Sequence, residues 1–176
     1  MKTYEFGLLF DLKNDNINPD IYVDSLYDSG CDDALLAIGR KGSILLDFTR
    51  TANSAYQAIY SAIQNVKSVI PSAELIHISP DIVGVKELSL ILECSKQNIQ
   101  KYLTKKDFPK PLYSTSQPIW YLDEVLEWFL SHQEQGQKID DNLLDIARLA
   151  RSINLSLENK KANLEIVKQA QELVAI

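Results

Sequence analysis

The residues able to do chemistry at a defined spacing lie in one short stretch of this sequence. Ser95, Lys96, Gln97, Asn98, Gln100 and Lys101 fall around the apolar pair Ile99 and Leu103, which sit four residues apart. Ser95 is a good helix N-cap, and the spacing predicts a helix over 95–104. If Ile99 and Leu103 face a core, the polar residues face outward. Asn and Gln can donate to and accept from an adenine edge at once, and Lys reaches guanine or phosphate. That is the chemistry of reading double-stranded DNA. Lys105 and Lys106 follow at the helix end, where they suit backbone phosphates. A hydroxyl-rich, uncharged tip, Ser114-Thr115-Ser116-Gln117, comes next and suits a wing lying on the sugar-phosphate backbone.

The charge distribution agrees with this better than the total does. The 176 residues carry a net charge of −6. Residues 1–80 hold 6 basic and 10 acidic side chains, whereas 95–110 hold five lysines against Asp107 alone. An acidic chain with one basic segment can still bind nucleic acid through that segment.

Other chemistries find little support. Cys31, Cys94, His77 and His132 are too scattered for metal-ligand spacing, so no metal and no cofactor is expected. The two cysteines read as packed thiols. Asp32-Asp33 reads as a pair of solvated loop acids, and His77 as a satisfied strand histidine. Gly39-Arg40-Lys41-Gly42-Ser43 lacks the spacing of a phosphate-binding loop and reads as a hairpin turn. No nucleophile–base pair assembles, so no catalytic residue is assigned and an enzyme is not expected. With no long apolar run and no signal-peptide pattern, the expected location is the cytoplasm, away from any membrane.

The elements that must position the polar helix follow from periodicity. A strand is expected over 3–12, a short helix capped by Asn18 and ending at Gly30, strands over 34–39 and 44–49, a helix over 52–70 and a strand over 75–78. This β-α-β-β-α-β order predicts a ferredoxin-like sandwich for residues 1–80. Residues 81–132 are expected to hold a helix over 85–92, the polar helix, a β-hairpin over 112–120 and a helix over 122–130. Trp120 and Trp128 are expected in its core. A polar linker, 133–138, leads to two more helices within 138–176, the first with Leu143, Ile146, Ala147, Ala150 and Ile153 on one stripe. That stripe either folds back on the chain or joins two copies, and a homodimer is the expected use. The fold class is thus α+β.

The run VGVKELSLILECSKQNIQKYLTKKDFPKPLYSTSQPIWYLDEVLEWF, Val83 to Phe129, resembles the AlpA/excisionase-like branch of the MerR-type winged helix-turn-helix proteins. The resemblance covers under a third of the chain. Its most specific pieces are Phe108-Pro109-Lys110-Pro111, then Trp120 followed by Asp123, Val125 and Trp128. It implies a central winged helix-turn-helix whose recognition helix is Ser95 to Tyr102, with double-stranded DNA as partner. Glu93 stands where that family usually has glycine, at a turn position that wants positive φ. The reading that follows is a sequence-specific transcriptional regulator, its N-terminal domain docking a protein partner or a small ligand. The alternatives are an antitoxin or adaptor using DNA for autoregulation, and an excisionase-like DNA-bending protein.

Overall fold

The computed structural model describes residues 1–37, 40–113, 116–132 and 139–175. It is a mixed α+β protein with seven α-helices and two antiparallel sheets among the described residues.

The larger sheet is built on two long strands, β1 (Lys2–Asp11) and β3 (Ser43–Ala52). They pair antiparallel along their whole length, from Lys2 opposite Ala52 to Asp11 opposite Ser43. Their strict alternation sends Tyr4, Phe6, Leu8, Phe10, Ile44, Leu46 and Phe48 into one core. β2 (Ala34–Ala37) pairs with β3, and β4 (Glu74–Ser79) with β1, giving the order β2-β3-β1-β4. Helix α2 (Ala55–Val69) is capped by Ser54, whose hydroxyl accepts from the Gln57 N–H, and buries Ala55, Ala58, Ile59, Ala62 and Val66. Ile70 and Ala73 close the same core behind it.

The first crossover is not the single helix that its periodicity predicts. Asn18 does cap its start, over a 3-10 turn Pro19–Tyr22. A single helical turn α1 (Val23–Leu26) follows, then a wider turn Tyr27–Cys31 in which Gly30 has φ +94°. Arg50 explains the break. Its guanidinium is buried on β3 and takes the Gly30 carbonyl at 2.6 Å, while the Asn65 amide takes the Ser29 carbonyl. Those tertiary bonds replace helical ones, and glycine accepts the left-handed backbone they require. Arg50 also forks onto Asp33 at 2.8 Å twice and donates to Ser61 and Asn65. Asp33 is therefore no solvated loop acid but the partner of a buried charge. The expected strand 34–39 ends its described part at Ala37, and Gly39 lies outside the described residues, as does the expected linker 133–138.

The chain leaves β4 through Ser79–Pro80 and enters a second core. β5 (Ile82–Gly84) precedes α3 (Val85–Ile91), α4 (Lys96–Leu103), β6 (Ile119–Tyr121) and α5 (Leu122–His132). β5 and β6 form the small sheet, Val83 opposite Trp120. The hairpin expected over 112–120 is thus corrected. Among the described residues its return strand pairs mainly with residues 82–84, and its outgoing arm keeps one bridge, Tyr113 to Ile119, with the Leu112 N–H on the Ile119 carbonyl. Pro109 and Pro111 lack the N–H groups a longer ladder needs.

Helix α6 (Asp141–Lys161) joins the two cores. Ile146 and Ala150 enter the first, Leu144 and Ala147 the second. Arg148 pairs with Glu127, and Arg151 pairs with Asp123 and Glu124 while lying 3.6 Å over the Tyr121 ring. Asn154 binds both the N–H and the carbonyl of Ile78 and donates to the buried Asp81 carboxylate at 2.6 Å. The stripe read from the sequence therefore folds back on its own chain. α7 (Leu164–Val174) buries nothing. Among the described residues no helix is long and apolar enough to cross a membrane.

Candidate nucleic-acid interface

The turn between α3 and α4 is tight and hydrogen-bonded. The Leu92, Glu93 and Cys94 N–H groups return to Leu88, Leu90 and Ser89. Glu93 takes φ +46°, the left-handed geometry expected at this position, without a glycine to relieve it. Ser95 then caps α4 by accepting from the Asn98 N–H at 3.2 Å.

Ile99 is 1% exposed and anchors α4 to the second core, with Tyr102 and Leu103 packed partly behind it. That single buried side chain fixes which face looks out. Ser95, Lys96, Gln97, Asn98, Gln100 and Lys101 are all exposed, and so are Lys105, Lys106 and Ser116. Ser114 and Thr115, the other two predicted wing residues, lie outside the described residues. Lys105 is held rather than extended, its ammonium 5.1 Å over the Trp128 ring and 5.4 Å over that of Tyr102.

The platform beneath α4 is aromatic. Phe108 meets Trp120, Trp128 and Phe129 edge to face, and Tyr102 meets Trp128 and Phe129 the same way. The Trp120 indole donates to the Pro109 carbonyl at 3.0 Å. This ties the Phe108–Pro111 segment against β6. Trp120 and Trp128 are both buried, as their places in the pattern predict. Asp107, the one acid of the basic stretch, faces His132, its Oδ2 2.5 Å from Nε2. Its own backbone N–H, with His132, holds its carboxyl below the usual carboxylate range against the opposing effect of desolvation.

Lys96 and Gln100 of α4 share a concavity of about 500 Å³ with Ser116 and Gln117, which precede β6, and with Lys86 from the first turn of α3. Lys86 was missed by sequence reasoning, because a lone lysine on α3 carries no signal until the turn brings it beside α4. Glu87 lines the same hollow, but its carboxylate is turned to the Gly84 N–H at 3.1 Å. Tyr113 is exposed, whereas Tyr121 lies under Arg151. Among the described residues no group of His, Cys, Asp and Glu side chains is arranged to hold a metal ion. Cys31 is a buried free thiol and Cys94 a half-buried one, both pushed up in pKa by burial.

Compared with known protein families, with curated proteins and with solved structures, the chain matches none.

Proposed function

We propose that this protein is a site-specific double-stranded-DNA-binding regulator in which residues 81–132 act as a winged helix-turn-helix and α4 reads the major groove. The observation that carries this reading is the outward face of α4. Five hydrogen-bonding side chains, Lys96, Gln97, Asn98, Gln100 and Lys101, stand exposed on a helix pinned by the buried Ile99. A concavity runs from that face to the wing, and an α-helix of this kind fits the major groove of B-DNA. The N-terminal unit, with its β-α-β-β-α-β order and β2-β3-β1-β4 sheet, reads as a ferredoxin-like domain that docks a ligand or partner. Its expected working form is a cytoplasmic homodimer, with α7 as the pairing element, because two half-sites multiply the few base contacts of one module.

Fluorescence anisotropy against a selected pool of duplexes tests the reading. Wild type should enrich a definite motif, and Gln97→Ala/Lys101→Ala should lose it, at about 1–3 kcal/mol per base contact. Two-fold symmetry in the motif reports the homodimer. Absence of binding below about 10 µM, weaker than specific sites require, sinks the proposal. The module would then be a docking domain of an adaptor.

A further inference from the structure

The sheet face opposite the core carries a second arrangement of polar groups. Asp47, Gly7 and Ser79 lie in one row across β3, β1 and β4, since Gly7 pairs with Asp47 on one side and Ser79 on the other. Gly7 is the reason the row can close. A Cβ at this position would fall 2.5 Å from Ser79 Oγ and 2.7 Å from Asp47 Oδ1. Any larger residue would push the two apart, so the glycine lets a hydroxyl and a carboxylate converge. In the next row Glu5 pairs with Thr49. Among the described residues none of Glu5, Asp47, Thr49 and Ser79 has a side-chain hydrogen-bond or ion-pair partner.

These groups form the floor of an open groove of about 610 Å³, within the range of small-molecule sites. One wall is apolar and comes from beyond the sheet, with Pro80, Ile91 of α3 and Leu143 of α6. Leu35, 73% exposed on β2, closes the far side. Among the described residues no Lys, Arg or His lines the groove. Two carboxylates with no counter-charge among the described residues repel an anion and attract a cation. An ammonium group has three donors and no acceptor, which matches two carboxylates and a hydroxyl.

We propose that this groove is a binding site for a small organic cation, an ammonium group on a short apolar body. The ammonium sits between Asp47, Ser79 and Glu5, and the body lies on Ile91, Leu143 and Pro80. Because the walls come from the sheet and from α3, an occupant touches both cores. This site does not depend on DNA contact by α4, so the two readings fail separately.

The test is a titration of the full chain with phenethylammonium chloride, followed by amide chemical shifts, with 2-phenylethanol and sodium phenylacetate as neutral and anionic controls at equal ionic strength. The expected result is saturable shifts at Gly7, Ser79 and Ile91 with the amine. The alcohol should bind about tenfold more weakly or worse, and phenylacetate should not bind. Asp47→Asn should weaken the amine about tenfold, while Asp28→Asn, an exposed acid outside the groove, should leave it unchanged. Gly7→Ala should abolish binding; if it does not fold, Asp47→Asn carries the test alone. Equal affinity for amine and alcohol, equal loss in Asp28→Asn, or no saturation by about 10 mM amine, beyond the millimolar affinities of weak ligands, overturns the proposal.

Discussion

The basic side chains of the two cores have opposite fates. In the first core Arg50 is 7% exposed and every one of its nitrogens donates, to Asp33, Gly30, Ser61 or Asn65. In the second core the lysines of α4 stand outside, around one buried isoleucine. Positive charge is architecture at Arg50 and surface on α4. The difference lies in geometry. Arginine on the inward row of a central strand must be fully bonded, because an unpaired charge in an apolar interior is too costly to keep. A lysine on a helix with a single apolar anchor stays in water.

Arg50→Ala should give the largest effect. It removes one member of a buried pair and orphans the Gly30 carbonyl and Asp33, so a loss of about 3–5 kcal/mol in urea unfolding is expected. Arg50→Lys should recover little, since an ammonium cannot reproduce the fork. A mild phenotype for both would erase the contrast. Glu93→Gly should act in the other direction. Relief of the left-handed backbone should stabilise the protein by up to about 1 kcal/mol, read as a raised melting temperature. A loss instead would mean that the Glu93 side chain contributes more than its backbone costs.

A smaller, pH-dependent effect belongs to the junction between the cores. His77 Nε2 lies 3.3 Å from Asp81 Oδ1. The hydrogen bond with Asp81 raises His77 above its ordinary 6.5 against the opposing effect of burial. Burial pushes Asp81 up, but hydrogen bonds from His77 and Asn154 outweigh it and leave its pKa below the ordinary 3.8. The raised histidine stabilises the fold in full below pH 6.5 and loses that contribution as pH rises through its folded value. The lowered aspartate contributes in full above pH 3.8 and fails as pH falls through its own. The gap in melting temperature between wild type and His77→Asn should therefore be widest between those two values and shrink on either side. A gap that is flat with pH would refute the pairing. The smallest effect on stability is expected from Gln97→Ala/Lys101→Ala. Its unfolding free energy should stay within about 0.5 kcal/mol of wild type, since exposed substitutions away from caps and cores cost little. A larger loss would mean that the outer face of α4 is structural.

Much of this division was legible in the sequence, and particular residues show why. The alternation of Tyr4, Phe6, Leu8 and Phe10, the Ser95 cap and the Ile99 anchor are all written within four residues of the positions they govern. Local spacing alone determines which face of a strand or helix is apolar. Trp120 and Trp128 were legible as core because both fall where the helix over 122–130 must pack, whereas nothing local marked Phe108 as their partner. The polar face of α4 follows from Ile99 by subtraction.

Other features had no local signature. Arg50 and Asp33 are separated by 17 positions, and Asn154 reaches Ile78 across 76. The Gly30 break, the pairing of β5 with β6, the arrival of Lys86 beside α4 and the convergence of Asp47 and Ser79 over Gly7 all depend on which elements become neighbours. The sequence by itself determined the long strands and helices, their apolar faces and the polar helix. Tertiary structure alone decided that α6 joins both cores and that an arginine is buried where the strand pattern places an inward residue. The physical reason is that periodicity records the preference of a residue for its own helix or strand. A buried charge, an inter-strand ladder or a groove between cores records the company that distant segments keep once the chain has closed.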